Sequence, residues 1–298
     1  MASPQSASIR ATFASFKEAP LTSVQQNREA WEAAAQTELP PHTIIEPLFV
    51  EGIACEKVSS SQVDQEKLLL YLHGGGFNAG SCKTHRELAA RLSLATSLPV
   101  LLVDYRLAPE HPFPAAIEDA VTVYRWLLAH GYRPEQVVIG GDSSGGGAAL
   151  TTLLALRATG DVLPAAAVLL SPWLDLALAG ESMVSRADVD PLVTREALAR
   201  AAQLYANGQD LHDPIISPVY ADMHGLPPML IQVGDDEILL SDSLRAADQA
   251  RAAGVDVELA VWPEMWHVWQ SFAATLPEAQ QALEQIGAYL RQRLAVPS

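Results

Sequence analysis

The segment Val137–Gly147 reads VVIGGDSSGGG and opens into Ala-Ala-Leu. Its apolar start predicts a buried strand that leads directly into a helix. Gly-x-Ser-x-Gly between a strand and a helix is typical of a nucleophile elbow, the sharp turn that holds a serine oxygen up for attack. Gly141 and Gly145 flank Ser143 where strand and helix fold back on each other, and only glycine leaves room there. A glycine-rich turn with a solvated serine is the alternative that this segment alone leaves open.

A second glycine-rich loop lies upstream, where the predicted strand KLLLYL at 67–72 runs into HGGGF at 73–77. Consecutive glycines suit a loop whose backbone amides approach a substrate oxygen closely. Such a loop forms one side of an oxyanion hole, and the amide after the nucleophile forms the other. We therefore expect oxyanion donors at Gly75, Gly76 and Ser144. We expect His73 to brace the loop rather than to act as a base.

A serine nucleophile needs a histidine base, and in hydrolases with this elbow the chain order is serine, acid, histidine. Three of the eight histidines follow Ser143, namely His212, His224 and His267. His267 comes shortly after the predicted strand VELAV at 257–261, where a base is expected. The other two lie in proline-rich and polar stretches without a preceding strand, which indicates surface positions. His267 is therefore the predicted base.

The acid is expected after the preceding strand, MLIQV at 229–233, which is followed by Asp235, Asp236 and Glu237. Spacing alone does not separate Asp236 from Glu237. A plain acidic turn accounts for at least two of the three carboxylates. A calcium loop is disfavoured because the Asp-x-Asp-x-Asp-Gly ladder is missing.

Several further stretches extend the two glycine-rich motifs. They are DYRLAPEHPFPAAIEDA at 104–120, SPWLDL at 171–176, DPIISP at 213–218, GLPPMLIQVG at 225–234 and AGVDVELAVWPEMWHVW at 253–269. With HGGGF and GDSSGG, they make the chain resemble the bacterial hormone-sensitive-lipase-like esterases, the branch named for its GDSAGG elbow. The resemblance implies an α/β-hydrolase fold with a helical cap. It also implies a serine esterase that acts on small carboxylic esters of short to medium acyl length, without a cofactor or metal.

The resemblance also bears on the acid. Members of this family commonly carry Asp-Pro-Leu at the acid, a fixed distance before Ala-Gly-Val and the histidine. Placing Ala253–Val255 and His267 in that register puts Glu237 at the acid position, with Asp236 as the runner-up. The implied triad is therefore Ser143, Glu237 and His267, and glutamate is an accepted acid in such triads. Ser144 also departs from the alanine of the branch name.

Predicted strands alternate with amphipathic helices such as 114–129, which indicates a mostly parallel sheet covered on both faces. We assign residues 46–178 and 213–298 to this α/β core. Residues 1–45 and 179–212 do not fit the alternation, and in the resembled family such pieces form a cap over the active site.

The N-terminal segment carries apolar side chains before the core begins, at Ile9, Phe13, Phe16 and Trp31. An apolar face of this kind is stable only when it packs against another part of the protein. A cap over the mouth of the pocket would meet that need and also exclude water from the site. The alternative is an ordinary helix docked on the sheet far from Ser143.

Charged and aromatic residues outside the triad have structural explanations. Arg106, within a charged segment at a strand end, is expected to brace a sharp loop by pairing with carboxylates. Trp126 and Trp173 are expected to be packing residues, with Trp173 near the acyl side of the pocket.

Composition narrows the class of protein. A chain of 298 residues with 49% hydrophobic content can bury a large single core. A net charge of −16 argues against nucleic acid and anionic membranes as partners. No apolar stretch is long enough to span a bilayer, and the N-terminus has no signal-peptide pattern, which favours the cytoplasm. Cys55 and Cys82 are too few for a disulfide framework. The oligomeric state stays open, with a homodimer among the options.

Two other functions remain as alternatives. One is a ligand-binding protein on the same fold, as in the plant gibberellin receptors that resemble this family. Those receptors lack the catalytic histidine, whereas His267 is present here. The other is a hydrolase of amides, lactones or peptides, because the same triad serves all acyl transfers.

Overall fold

One sheet of eight strands organises the computed structural model, which describes residues 2–16, 23–35 and 37–294, without the side chains of 14–16. The strands are β1 (Ile44–Val50), β2 (Ile53–Ser59), β3 (Leu68–Leu72), β4 (Val100–Val103), β5 (Val137–Asp142), β6 (Ala166–Leu170), β7 (Met229–Gly234) and β8 (Val257–Trp262). Their spatial order is β1-β2-β4-β3-β5-β6-β7-β8. The β1–β2 and β2–β4 pairs are antiparallel, and the other neighbours are parallel. The predicted mostly parallel sheet is confirmed.

Helices connect these strands. They are α1 (Pro4–Phe16), α2 (Val24–Ala34), α3 (Cys82–Thr96), α4 (Ala115–Ala129), α5 (Ser144–Thr159), α6 (Ser182–Ser185), α7 (Arg195–Ala206), α8 (Leu240–Ala252) and α9 (Pro277–Arg293), with short 3-10 turns at Pro134–Gln136, Pro218–Tyr220 and Trp269–Phe272. None of the helices in the described ranges is both long and apolar enough to cross a bilayer.

The sheet is buried on both faces, as β3 illustrates. Leu68, Leu70 and Leu72 lie in one apolar cluster with residues of α4, α5 and α8. Leu69 and Tyr71 lie in the opposite cluster with residues of α3 and α9. Because side chains alternate along a strand, an unbroken apolar run fills both clusters at once. The continuous run in the sequence therefore marks a central strand.

The first two strands form a hairpin at the edge of the sheet, and the sequence pattern did not single them out. β1 is mostly exposed and contains Pro47, whose missing N–H is tolerated at an edge. The first strand begins at Ile44, shortly before the boundary at residue 46 that the sequence predicts for the core, and the boundary itself stays a prediction. The insertion between β6 and β7 contains α7, which Thr194 caps by accepting a hydrogen bond from the Ala197 amide at 3.2 Å.

Arg106 braces the loop after β4, as predicted. Its Nε lies 2.9 Å from Asp119 Oδ1, and its backbone N–H donates to Asp119 Oδ2 at 2.8 Å. Asp119 is buried in α4, so the pair ties the loop to the helix below it. Both cysteines, Cys55 and Cys82, are buried and unpaired.

The turn from β5 to α5 depends on glycine. A Cβ at Gly145 would collide with the backbone of Leu72 and His73, and one at Gly141 would collide with the backbone of Gly145. Ser143 between them has φ +53°, in the region that residues with side chains rarely adopt. The strand and helix therefore approach as closely as the elbow motif requires.

We expect Gly145→Ala to lower the free energy of unfolding by ~3 kcal/mol or more, because rigid backbone surrounds the added methyl group. Gly160→Ala is the matched control, since Gly160 ends the same helix with φ +76° and open space around it. Its cost should be limited to the left-handed backbone, about 1–2 kcal/mol. Urea unfolding of both variants measures the difference, and equal losses would contradict the crowding argument.

Candidate active site

Ser143 lies between the last residue of β5 and the first residue of α5, where its backbone is held on both sides. Its N–H donates to Leu170 O at the end of β6, at 2.9 Å, and its carbonyl accepts from Trp173 N at 2.9 Å. The loop after β6 therefore fixes the elbow. Ser143 Oγ has no hydrogen-bond partner among the described residues. The hydrogen bond between a nucleophile and its base is often long before substrate binds.

His267 and Glu237 are brought together from two loops, after β8 and after β7. His267 Nδ1 lies 2.7 Å from Glu237 Oε2. Because a carboxylate only accepts hydrogen bonds, Nδ1 carries a proton and Nε2 of the neutral ring is the atom that can take one. This is the arrangement that a base acting on a serine hydroxyl requires.

Glu237 is completely buried, and three donors satisfy its carboxylate. In addition to His267, Ser171 Oγ donates to Glu237 Oε1 at 2.8 Å and Gly234 N donates to the same oxygen at 2.6 Å. A buried carboxylate without such partners would be strongly disfavoured. The Glu237 carboxylate is thus fixed in position and orientation.

Ser171 joins the elbow to the loops that carry Glu237 and His267, and it was not among the predicted site residues. Its Oγ donates to Glu237 and accepts from Val268 N at 3.1 Å, while Trp173, two residues on, holds Ser143. Ser171 and Val268 both have positive φ, +43° and +51°, which is typical of functional loops held by their surroundings. The signal that could have identified Ser171 was the SPWLDL stretch at 171–176, which begins with it.

Asp236, the runner-up acid, points to a different partner. Its Oδ2 pairs with Arg10 Nη2 of α1 at 2.6 Å, and its side chain is partly exposed. Of the two acids that spacing left open, Glu237 is the one that contacts His267. The neighbouring Asp235 accepts from the Glu264 amide at 2.6 Å.

The surroundings of His267 favour its protonated form. Burial acts to lower the pKa of His267, but the hydrogen bond and negative charge of Glu237 oppose it, and the charges of Asp190 and Asp142 add to that effect. The pKa of His267 consequently lies above its ordinary value. The ring is therefore a stronger base than a free imidazole.

The glycine loop lies beside the elbow. Gly75 and Gly76 have φ +123° and +64°, and Ser144 Oγ accepts from Phe77 N at 3.3 Å. The serine that replaces the alanine of the branch name thus ties the elbow helix to this loop. In the described chain, the amides of Gly75, Gly76 and Ser144 donate to no protein acceptor.

A buried polar network supports the glycine loop from behind. Asp142 accepts from Tyr71 Oη at 2.9 Å and from Gly74 N at 3.1 Å, and lies 3.3 Å from His85 Nε2. Burial raises the pKa of Asp142, but the charge and hydrogen bond of His85 and the bond from Tyr71 outweigh it, so its pKa is lowered. Asp142 was not among the predicted site residues.

The three further histidines for which the sequence predicts a position, His73, His212 and His224, lie where predicted. His73 is buried, with Nδ1 2.8 Å from Gly74 O, and burial and His85 lower its pKa to about 3. A ring that stays neutral and points into the loop braces it rather than acting as a base. His212 and His224 are exposed. No cluster of three metal-ligating side chains occurs within the described ranges.

Both extra segments contact the loops of this site. Phe13 of α1 packs edge-on against Trp266, with ring centroids 5.5 Å apart, and Arg28 of α2 donates from Nε to Asn78 O at 2.8 Å. In α7, Tyr205 stacks on Phe77 at 3.7 Å. Of the other apolar residues listed for the N-terminal segment, Ile9 is half-buried and Trp31 is 38% exposed; the Phe16 side chain lies outside the described residues.

Comparison with known proteins identifies the family. A sequence profile of the alpha/beta hydrolase fold matches residues 69–271. An acetyl-hydrolase of Streptomyces hygroscopicus is 42% identical over 262 residues, which is 88% of this chain and 86% of the relative. An esterase of Acinetobacter venetianus is 40% identical over 251 residues, 84% of this chain and 82% of the relative.

Solved structures give the same result over nearly the whole chain. The crystal structure of an esterase from the bacterial hormone-sensitive lipase family has a TM-score of 0.96 and 43% identity, covering 99% of this chain and all of that one. A hormone-sensitive lipase from a metagenome library has a TM-score of 0.94 and 36% identity, with the same coverage. The expected fold is confirmed, and the chain belongs to the α/β-hydrolase fold family as an esterase of the bacterial hormone-sensitive-lipase-like group.

Proposed function

We propose that this protein hydrolyses small carboxylic esters through an acyl-enzyme intermediate, with Ser143 as the nucleophile, His267 as the base and Glu237 as the acid. The observation that carries the proposal is the 2.7 Å hydrogen bond between His267 Nδ1 and buried Glu237, in a site that Ser171 ties to the elbow. The names of the relatives, acetyl-hydrolase and esterase, support esters as the substrate class.

The first half of the reaction forms the acyl-enzyme. Ser143 Oγ attacks the ester carbonyl carbon while His267 Nε2 takes the hydroxyl proton, which gives a tetrahedral intermediate. His267 then returns that proton to the alcohol oxygen, so that the bond between carbonyl carbon and alcohol oxygen breaks. In the second half, a water molecule loses a proton to His267 and attacks the acyl carbon. His267 then returns that proton to Ser143 Oγ as the bond between acyl carbon and Oγ breaks, which releases the acid and restores Ser143. Glu237 stabilises the imidazolium in both halves.

The oxyanion of each tetrahedral intermediate would be bound by the amides of Gly75, Gly76 and Ser144. Support comes from their place beside Ser143 and from the absence of protein acceptors for them in the described chain. The N-terminus of α5 adds a favourable dipole at the same point. Donors of this kind typically contribute ~10²–10³-fold each to the rate.

Ser143→Ala is expected to abolish ester hydrolysis without unfolding the protein. Loss of a triad nucleophile costs on the order of 10⁶-fold in turnover, by protease precedent. The measurement is p-nitrophenyl butyrate hydrolysis, with circular dichroism to check the fold. A folded variant that keeps more than a few per cent of the wild-type rate would show that Ser143 is not the nucleophile.

Exchanging each candidate acid for its amide tests the choice of Glu237. Glu237→Gln keeps the shape but presents an N–H group to the Nδ1–H of His267, and we expect a loss of ~10⁴-fold in turnover. Asp236→Asn is the matched control. It weakens a partly exposed ion pair worth ~0–1 kcal/mol, so its turnover should stay within a few-fold of wild type. The reverse ranking would move the role to Asp236.

We also propose that residues 1–45 and 179–212 form a cap that limits acyl length. Phe77, Trp173 and Tyr205 support this idea, since these buried aromatic residues from the glycine loop, the loop after β6 and the insertion pack together. The contacts of Phe13 and Arg28 place the N-terminal helices against loops of the site, whereas a helix docked far from Ser143 would make neither.

Deleting residues 1–35 should therefore lower activity and change the ranking of acetyl, butyryl and octanoyl esters, because part of the wall of the pocket is removed. The kcat/KM for the three p-nitrophenyl esters, normalised to active sites, gives the ranking, and thermal unfolding reports the fold. An unchanged acyl-length profile in a folded deletion variant would refute the cap.

A further inference from the structure

Asp190 lies in the insertion, between α6 and α7, and its side chain is completely buried. Its Oδ2 accepts from the Ile238 amide at 2.9 Å. Its Oδ1 accepts from the amides of Leu192 and Val193, each at 2.9 Å. A buried carboxylate is stable only when several hydrogen-bond donors surround it. The amides of Leu192 and Val193 hold Asp190 within its own turn. The contact with Ile238 reaches outside the insertion.

Ile238 is the residue directly after Glu237, and the insertion holds its backbone from both sides. Asp190 binds its N–H, and Ser182 Oγ of α6 donates to its carbonyl at 2.5 Å. Both partners are buried. The backbone that carries the acid is thus fixed by two side chains about 50 residues earlier in the chain.

We propose that Asp190 is a positioning residue, which holds the backbone after Glu237 so that the Glu237 carboxylate stays on His267 Nδ1. The inference rests on the proposed role of Glu237 and His267 and extends it to the insertion. Asp190 has no part in bond making. It acts through the geometry of the acid and through its negative charge near the base.

Charged groups from several elements face this part of the site. Glu237, Asp190 and Asp142 are negative groups that raise the pKa of His267. On the far side of the acid loop, Asp236 faces Arg10 of α1 and the charge of Arg186 in the insertion.

The sign of the pH effect follows from the role of His267. The base acts in its neutral form, so kcat/KM falls as the pH drops through the pKa of His267. The negative charge of Asp190 raises that pKa, and its loss lowers it. A displaced Glu237 lowers it in the same direction. The acid limb of the pH profile should therefore move to lower pH in Asp190→Asn.

The experiment compares Asp190→Asn with Asp188→Asn, which removes an exposed charge two residues earlier in the same turn. kcat and KM for p-nitrophenyl butyrate are measured from pH 5 to 9, with active sites counted by burst titration and the Tm recorded. For Asp190→Asn we expect a loss of ~10–100-fold in kcat, as for small misplacements of catalytic groups, with little change in KM and a shifted acid limb. Asp188→Asn should match the wild type in all three.

Asp190→Asn with wild-type kcat per active site and an unmoved acid limb, even with a lower Tm, would overturn the proposal and leave Asp190 a purely structural residue. If that variant does not fold, Ser182→Ala decides. It removes the bond to the Ile238 carbonyl and the bond that Ser182 Oγ accepts from the Ser241 amide, and should lower kcat less severely. An unchanged kcat would equally overturn the proposal. Ser143→Ala separates the role of Asp190 from the proposed esterase function, since activity in that variant would contradict the proposed function itself.

Discussion

The contact on which the site depends is the hydrogen bond between the buried Glu237 carboxylate and His267. Burying a charge costs several kcal/mol unless donors compensate for it, so the chain around Glu237 is arranged to supply them. Ser171 comes from the loop after β6, Gly234 from the end of β7 and His267 from the loop after β8. Three successive parallel strands thus each contribute one donor to the same carboxylate, from the end of the strand or from the loop that follows it. The parallel sheet makes this possible because it brings the carboxyl ends of these strands to the same edge.

Backbone strain in the same loops follows from that arrangement. Ser143, Ser171 and Val268 all have positive φ, although none is glycine. Such conformations cost ~1–3 kcal/mol each and persist only where other contacts determine them. Here the contacts are hydrogen bonds between the strained residues and their neighbours, from Ser143 N to Leu170 O and from Val268 N to Ser171 Oγ. Strain in each loop is therefore offset by the loop beside it.

Local patterns in the sequence were enough to predict the elbow, the glycine loop and His267, because each follows a strand whose apolar run is visible. The acid was different. Three adjacent carboxylates have no local signal that separates them, and only the register of the resembled family favoured Glu237, which the structure places against His267. Ser171 and Asp142 were missed because they bind residues 97 and 57 positions away in the chain. Asp190 was missed because its partner Ile238 lies about 50 residues away. Contacts at such separations leave no periodic pattern.

The two segments outside the core reach the acid loop by contacts of unequal strength. Arg10 pairs with Asp236 at a partly exposed position, where an ion pair contributes only ~0–1 kcal/mol and salt screens it. Asp190 and Ser182 bind Ile238 in the interior, where an unsatisfied partner would cost ~1–3 kcal/mol. The insertion is therefore the firm support of the Glu237 backbone, and the Arg10–Asp236 ion pair adds little to it.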